Sequence, residues 1–369
     1  NSILSDYWAN FNNNVYRCNL ILDQIDAAQF DEALKKQYKG EAMFIRALNY
    51  FNMYRIWGGV PATKHVVSAA EALKIARYSD EQMFELIAGD LKEIVDNEYL
   101  PEKYSATNTG RATAGAAKAL LGKVYLTFHK WNEAKDILSQ LIGKYSLLPS
   151  IGQVFDVENK NNAEIIFAVQ FNKDIVGEGH SYWYDITNLT DESGQADALK
   201  ECFTADDARK EMITYVKAES KVYLMTKFLD TKNVSFNQVG NDQILLRYAD
   251  VLLMYAEALN EIAYDASENS VALEQLNAVR TRAGLSELTA SDVPSQESFR
   301  KAILDERQKE FPYEGHRWFD LVRMGYAKTV LAQRGLNIED YQLLFPIPQA
   351  EIEKVGNASI LWQNPGYDK

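Results

Sequence analysis

The sequence has few of the residues from which redox, metal and nucleotide sites are built. Its two cysteines, Cys18 and Cys202, lie far apart and form no CxxC pattern, so a disulfide and two separate thiols both remain open. None of its four histidines falls at HxxxH or HExxH spacing, and no GxGxxG, GxxxxGK[ST] or GxSxG motif occurs. We therefore predict no cofactor and no metal site.

The chain also lacks clusters of basic residues and long apolar runs. Its 369 residues include 39 Lys and Arg against 52 Asp and Glu, which gives a formal net charge of −13. Such a chain does not offer the cations that nucleic-acid phosphates or anionic lipid surfaces require. No run reaches the roughly 18 uncharged apolar residues of a membrane span. We predict no nucleic-acid partner and no membrane-spanning helix, and a neutral ligand suits the composition better.

Helical periodicity dominates the first part of the chain. Apolar side chains recur at helical spacing over residues 6–27, 32–57, 79–97 and 111–129. The breaker Gly58-Gly59-Val60-Pro61 separates the second of these segments from the third. The pattern predicts four helices.

Two segments are typical of tetratricopeptide repeats, whose paired helices cross at small residues. Leu121-Gly122-x-x-Tyr125 is followed by Ala134, at the spacing of the repeat. A looser second copy is predicted as a helix over 244–261 that packs against a partner helix over 270–284. The sequence therefore predicts an all-α fold built on helix pairs.

The middle of the chain differs from both helical blocks. Residues 163–171, AEIIFAVQF, are β-branched and aromatic and predict a short strand. Residues 172–240 show weak periodicity, and so long a segment within a helical chain is typically functional or disordered. We predict one domain over 1–369, with helices in 1–150, a loop-rich segment in 151–240, helices in 241–335 and a wrapping tail in 336–369.

The stretch DERQKEFPYEGHRWFDLVRMG, residues 305–325, is crowded with charge. Ser295 is a predicted N-cap, Pro312 ends the helix near Phe311, and Glu306 and Glu310 lie one turn apart. A second short helix is predicted to run from about residue 315 to 324. It carries an alternating charge row of Arg317, Asp320 and Arg323.

Two functions compete for this charged stretch. A pair of carboxylates could act as acid and base in glycoside hydrolysis, but one of them would need a raised pKa in an apolar pocket. Here each carboxylate has an arginine within three or four residues, which favours its ionised form. We predict that the stretch is a structural seam, a row of ion pairs that holds the fold together, and that it has no enzyme activity; a contact with a partner protein is the remaining alternative.

The motifs together suggest a family. ERQKEFPYEGHRWFDLVRMG resembles the signature ERRxEFxxEGxRWFDLxRxG of the SusD/RagB-like outer-membrane nutrient-binding lipoproteins. Four further stretches, 41–61, 163–171, 245–261 and 345–367, resemble other motifs of that family and follow in the same order. The resemblance extends over essentially the whole chain.

The resemblance implies a fold of four tetratricopeptide-like helix pairs in a right-handed superhelix, with a loop-rich half attached. It implies a cell-surface lipoprotein that captures glycans, or in some lineages peptides, for a SusC-like TonB-dependent outer-membrane transporter, and that is a binding protein rather than an enzyme. The signal peptide and lipid-anchored cysteine are then expected upstream of residue 1. Cys18 lies inside a predicted helix and is no such anchor.

A sugar site needs flat aromatic rings for the apolar faces and polar side chains for the hydroxyl rim. An aromatic triplet in the loop-rich segment, flanked by polar residues, offers this chemistry and falls where the family places part of its glycan-stacking aromatics. The candidate site residues are Tyr182, Trp183, Tyr184, His180, Asp185 and Asn188. The alternative is that one or more of these rings packs the loop onto the helices.

Two other functions remain as alternatives. A plain tetratricopeptide scaffold would bind only protein, have no affinity for saccharide and tolerate loss of the 172–190 loop. An all-α glycosidase of the α/α-toroid type would turn over a substrate and contain an essential carboxylate. The identity of the glycan or peptide is not predicted by the sequence.

Overall fold

The computed structural model describes residues 2–182, 199, 201–213, 215–217, 222–224, 226–228, 230 and 238–367. The described part is mostly helical, which confirms the predicted fold class. Its α-helices are α1 (Ser2–Gln24), α2 (Glu32–Trp57), α3 (Ala69–Ala72), α4 (Asp80–Asp96), α5 (Ala114–Thr127), α6 (Trp131–Ser139), α7 (Ile151–Val154), α8 (Arg209–Ile213), α9 (Tyr248–Ile262), α10 (Val271–Arg282), α11 (Gln296–Glu310), α12 (Arg317–Arg323), α13 (Ala327–Gln333) and α14 (Gln349–Val355). Its strands are β1 (Ile165–Val169), β2 (Tyr215–Lys217), β3 (Val222–Leu224) and β4 (Gln243–Arg247).

Side-chain caps set the helix boundaries. Helix α2 begins after Asp31, whose carboxylate accepts a hydrogen bond from the backbone N–H of Leu34 at 2.9 Å. Helix α4 begins after Ser79, which forms a capping box with Gln82. Helix α2 ends at Gly58, whose φ of 73° suits a residue without a Cβ. The four predicted helices of the N-terminal block are therefore confirmed.

The chain divides into two compact units. Unit 1 contains residues 1–104, 111–129 and 321–369, and unit 2 contains residues 105–110 and 130–320. The predicted organisation as one domain stays a prediction.

Unit 1 is a stack of helices in which α1 packs on α2, α2 on α4, and α4 on α5. Its centre is apolar, with Trp57 and Phe51 fully buried. Close approach depends on small residues: a Cβ added to Gly40 in α2 would lie 2.8 Å from the Cβ of Tyr99. Gly40 thus lets the residues that follow α4 pack closely on α2.

The C-terminal tail is fastened within unit 1 by Arg77. Its guanidinium donates hydrogen bonds to the carbonyl oxygens of Trp57 at 3.1 Å and Trp362 at 2.8 Å, and to the side-chain oxygen of Asn364 at 2.9 Å. Burial lowers the pKa of Arg77 from its usual value. One cation therefore satisfies backbone carbonyls from two distant parts of the chain.

Unit 2 is organised around α9, which packs against α6, α10 and α11. The predicted pairing of a helix over 244–261 with one over 270–284 is confirmed for α9 and α10. The predicted start of the first helix was wrong, because Gln243–Arg247 form the strand β4 and the helix begins after them. β4 pairs antiparallel with the predicted strand β1, with Ala168 opposite Ile244. A short apolar run suits either structure, and the distant partner strand decides.

The first predicted tetratricopeptide unit has its helices at the predicted positions. Gly122 lies in α5 and Ala134 lies in α6, and both are buried. A second antiparallel pair, β2 with β3, lies in the loop-rich segment. The described part of this segment encloses an apolar cluster that includes Phe155, Phe203 and Phe228.

Candidate functional site

Most of the charged stretch, residues 305–320, belongs to unit 2. Its carboxylates Glu306, Glu310 and Glu314 belong to a network of ionised side chains that we call the buried charge cluster, whereas Asp320 pairs with Arg307 at 2.8 Å. The acidic members of the cluster are Glu164, Asp207, Glu306, Glu310 and Glu314, and its basic members are Arg209, Lys227, Arg247, Arg280 and Arg282. Acidic and basic members are equal in number, so the charges within the cluster balance.

Glu310 is the central member of the cluster. Its carboxylate accepts hydrogen bonds from Arg247 at 2.6 Å, from Arg209 at 2.9 Å and from Arg282. It is fully buried. A buried carboxylate is stable in ionised form only when such partners surround it.

The other carboxylates complete the cluster. Glu306 accepts from Arg209 at 2.7 Å and from Arg280 at 3.1 Å. Glu314 accepts from Nε and Nη2 of Arg247, each at 2.8 Å, in the bidentate geometry that makes arginine–carboxylate pairs strong. The cluster therefore ties α11 and the residues after it to strand β4 and helix α8.

Cations of the buried charge cluster also donate hydrogen bonds to backbone carbonyl oxygens at the end of α11. Pro312 prevents the helix from continuing, which leaves its last carbonyl oxygens without helical partners. Lys227 donates to the carbonyl oxygens of Glu310 at 3.1 Å and Pro312 at 3.3 Å, and Arg247 donates to that of Glu310 at 2.9 Å. Cations at the C-terminal end of a helix also complement its dipole.

The electrostatics of the cluster are unsuited to acid–base catalysis. Burial alone would raise the pKa of Glu310, but the charges of Arg282, Arg247 and Arg209 outweigh burial and hold that pKa well below its usual value. The pKa of Glu314 is likewise lowered, because Arg247 and Lys227 outweigh burial. A general acid needs the opposite shift. Neither carboxylate can therefore serve as a proton donor near neutral pH.

The predicted ion pairing is thus confirmed, but the predicted partners need correction. The sequence suggested arginines three or four residues away, whereas Glu310 is paired with Arg209, Arg247 and Arg282 from other elements. Arg317, expected in a local charge row, donates to the carbonyl oxygen of Leu304 at 3.1 Å and to Gln308 at 2.6 Å. Helical spacing gives neighbours on one helix but not partners across a fold.

The predicted ligand residue His180 has both ring nitrogens engaged by the backbone. Nε2 lies 2.7 Å from the carbonyl oxygen of Asn241, and Nδ1 accepts the N–H of Tyr182 at 3.0 Å. Its ring also lies 4.4 Å from that of Phe171, centroid to centroid. His180 therefore joins the backbone at Tyr182 to the residues just before strand β4.

The predicted ligand residue Tyr182 is partly buried and anchored. Its hydroxyl donates to the carbonyl oxygen of Tyr313 at 2.5 Å. Its ring meets Phe228 edge to face at 6.0 Å and packs against the apolar cluster. This is the packing role that the sequence left open for a tyrosine, and its part in ligand binding stays a prediction.

The other predicted ligand residues lie outside the described residues: Trp183, Tyr184, Asp185 and Asn188. Within the described part of the chain, no group of three or more His, Cys, Asp and Glu side chains could hold a metal ion. Among the same residues, no helix combines the length and apolar character of a membrane span. Cys18 and Cys202 are thiols rather than a disulfide, and burial raises the pKa of Cys18 to about 11.

Sequence reasoning missed the distant members of the buried charge cluster. Glu164 lies beside strand β1, and Arg209 and Lys227 lie in the loop-rich segment, where no periodicity singled them out. The sequence signal for Glu164 and Lys227 was a charge beside apolar residues, as in the run QILLRY that contains Arg247, whereas Arg209 stands in the charged run DDARKE and had no such signal. A charge in an apolar strand predicts a buried partner without naming it.

Two family models match the chain. The model described as "SusD family" matches residues 206–367, and the model described as "Starch-binding associating with outer membrane" matches residues 1–126. SusD-like protein P25 of Formosa agariphila is 27% identical over 95% of this chain and 77% of its own length. SusD-like protein P2 of the same organism is 28% identical over 100% of this chain and 81% of its own length.

Solved structures with the same fold include glycan-binding proteins. A laminarin-binding SusD-like protein is 27% identical, with a TM-score of 0.81 over 98% of this chain and 85% of that one. Surface glycan-binding protein A from Bacteroides fluxus is 25% identical, with a TM-score of 0.82 over 98% of this chain and 85% of that one. The matched models and structures are those of binding proteins, which agrees with the prediction that the chain is not an enzyme.

Proposed function

We propose that the chain is a SusD-family protein that captures an oligosaccharide or polysaccharide at the surface of the outer membrane and delivers it to a SusC-like TonB-dependent transporter. The observation that carries this proposal is the match of two models of one family to the two ends of the chain. A relative named as laminarin-binding, with the same fold along nearly the whole chain, supports glycan as the ligand class. Attachment to the membrane through a lipid anchor is part of the proposal.

We place the glycan site in the segment that follows Tyr182. The rings of Trp183 and Tyr184 would stack on the apolar faces of sugar rings, and the side chains of Asp185 and Asn188 would bond hydroxyl groups. Support for this placement comes from the residues on either side. Tyr182 is tied to Tyr313, and Arg209 is tied to α11, so the segment has a fixed base at both ends.

The test is binding of a glycan panel by native affinity gel and calorimetry, with laminarin first, then starch, mannan, host-type glycans and peptides. We expect saturable binding to one class and a weaker overall affinity in Trp183→Ala, because removing a stacking ring costs about 1 kcal/mol or more. Trp362→Ala is the matched control, since Trp362 is an exposed tryptophan outside the segment. It should bind as the wild type does.

The alternatives make opposite predictions in the same experiment. A protein-binding scaffold would retain no glycan on the gel and would bind a transporter fragment equally well after deletion of the 172–190 loop. A glycosidase would release new reducing ends during the titration. Retained binding in Trp183→Ala with lost binding in Trp362→Ala would place the site outside the loop-rich segment.

A further inference from the structure

Unit 1 contains a cavity that is separate from the proposed glycan site and from the buried charge cluster. It has a volume of about 430 Å³ and lies between helix α1, the 61–75 segment and helix α14. This volume falls within the range of about 300 to 1,000 Å³ that is usual for small-molecule sites. Its lining includes no residue from 180–188. A ligand in this cavity would thus be held by residues of unit 1 alone.

Aromatic rings line the cavity at two depths. Trp8 is buried and is fixed by an edge-to-face contact with Trp57, at 5.1 Å between ring centroids. Tyr16 is 50% exposed, and within the described residues its side chain makes no hydrogen bond or ring contact. A ring that is presented at a cavity rim without a partner is suited to stacking on a ligand.

The polar groups of the cavity include unused amides. Asn12 donates to the carbonyl oxygen of Trp8 at 2.8 Å, and among the described residues its side-chain oxygen accepts no hydrogen bond. Asn13 makes no side-chain hydrogen bond within the part of the chain that the structure describes. Asn19 differs, because its amide is fully used by Thr63, His65 and Arg46 and holds the wall together.

Helix stability does not explain these asparagines. Residues 12–14 form an Asn-Asn-Asn run in the middle of α1, and asparagine is a poor residue for a helix interior because its side chain competes for backbone hydrogen bonds. Asn14 has a structural partner, since it donates to Asn49 at 3.2 Å. Asn12 and Asn13 face the cavity instead. Their amides are available to a ligand.

The charges around the cavity are compensated. Glu351 and Lys354 pair with each other at 2.6 Å, and His65 lies 2.7 Å from the carboxylate of Asp23. An anionic or cationic ligand would therefore meet no unpaired opposite charge among the described residues that line the cavity. A neutral ring with hydroxyl edges and apolar faces matches aromatic walls and free amides.

We propose that this cavity is a second saccharide site, which binds one neutral sugar unit between Tyr16 and the amides of Asn12 and Asn13. The proposal rests on the proposed function for its ligand class and places a sugar at residues that differ from those of the 182–188 segment. In the bound state the Tyr16 ring covers one face of the sugar, and the asparagine amides bond its hydroxyls. A glycan capturing protein with two such sites would hold a polysaccharide at two points and gain avidity.

The experiment is calorimetric titration of the full chain with glucose, with laminarihexaose and with whichever polysaccharide the panel identifies. The test variants are Tyr16→Ala and Asn13→Ala. Their matched controls on the same helix are Tyr7→Ala and Asn14→Ala, which exchange the same residue types outside the cavity. All four are also measured in the Trp183→Ala background, and thermal unfolding confirms that each variant is folded.

We expect one binding site to remain in Trp183→Ala and its affinity to fall about tenfold or more in Tyr16→Ala and in Asn13→Ala, with both controls unchanged. Loss of all binding in Trp183→Ala, with Tyr16→Ala and Asn13→Ala equal to wild type, would overturn the second site and leave the proposed function intact. Binding that falls equally in test and control variants would also overturn it. No saccharide binding by the wild type would overturn both proposals.

Discussion

The interiors of the two units are stabilised by different kinds of contact. In unit 1, regular helices meet through apolar and small residues, and its fully buried side chains include Trp57 and Phe51. A buried ion pair there joins Arg46 to Asp90 at 2.7 Å. In unit 2, the centre is the buried charge cluster, in which Glu310 alone contacts three arginines.

The difference follows from what each unit has to position. Helices satisfy their own backbone hydrogen bonds, so packed apolar faces are enough to fix them. In unit 2, helix α11 ends before Pro312, which leaves its last carbonyl oxygens without helical partners. Long cationic side chains such as Lys227 reach these carbonyls and a carboxylate together. In unit 2, charged side chains thus hold in place those parts of the backbone that regular helix packing does not.

The largest expected effect comes from Glu310→Gln, which leaves three buried arginines without their shared anion. We expect the free energy of unfolding to fall by about 3–5 kcal/mol, the usual cost of an uncompensated buried charge. Chemical denaturation followed by circular dichroism measures it. Glu32→Gln is the control, because Glu32 pairs with Lys35 at the surface, where such pairs contribute about 0–1 kcal/mol. Equal effects of the two variants would contradict the role assigned to the cluster.

A smaller effect is expected from Arg46→Met in unit 1. Asp90 then loses its main partner but keeps the ammonium of Lys64 at 3.5 Å, so the cost should be about 2–3 kcal/mol. The double variant Arg46→Met with Asp90→Leu should recover most of this loss, since a buried pair between regular helices can be replaced by apolar residues. A double variant less stable than Arg46→Met would show that unit 1 also depends on its buried charges.

The buried charge cluster should also make stability sensitive to acid. The pKa values of Glu310 and Glu314 are lowered in the folded protein, so their contribution is complete above the unfolded value of about 4.3 and is lost as pH falls below it. Each extra proton bound on unfolding adds about 1.4 kcal/mol per pH unit. Between pH 4 and pH 3 the slope should be shallower in Glu310→Gln than in wild type. Identical slopes would mean that Glu310 is not held ionised.

The smallest expected effects concern two helical glycines of unit 1. In Gly40→Ala the new Cβ would meet Tyr99 at 2.8 Å, so overpacking should outweigh the gain in helix propensity and cost about 1 kcal/mol. In Gly89→Ala the nearest atom is the Lys64 ammonium nitrogen at 3.8 Å, and the gain should remain, at about 0.5–1 kcal/mol. Thermal unfolding should move the two melting temperatures in opposite directions. Parallel shifts would contradict close packing at Gly40.

Local signals in the sequence predict the helices of unit 1 well. Helix α2 has the predicted bounds because Asp31 and Gly58 are strong boundary residues, and α4 follows a serine cap in the same way. The prediction failed at β4, where the run ILLR was assigned to a helix. Its strand conformation is set by pairing with β1, about eighty residues earlier in the sequence, which periodicity cannot detect.

The site was less predictable than the fold for a related reason. That the charged stretch is structural followed from its local composition, but its partners Arg209, Arg247 and Arg282 are brought together only by tertiary structure. The anchoring of Tyr182 by Tyr313 is equally non-local. For Trp183, Tyr184, Asp185 and Asn188 the binding role stays a prediction.

The variant Glu306→Gln tests most directly whether the charged stretch stabilises the fold or takes part in ligand binding. Thermal unfolding and affinity for the panel glycan are determined on the same preparations of variant and wild type. Because Glu306 accepts hydrogen bonds from Arg209 and Arg280 inside the protein, we predict a lower melting temperature and an unchanged dissociation constant in the folded fraction. An unchanged melting temperature with lost binding would contradict this and make the charged stretch part of the ligand site.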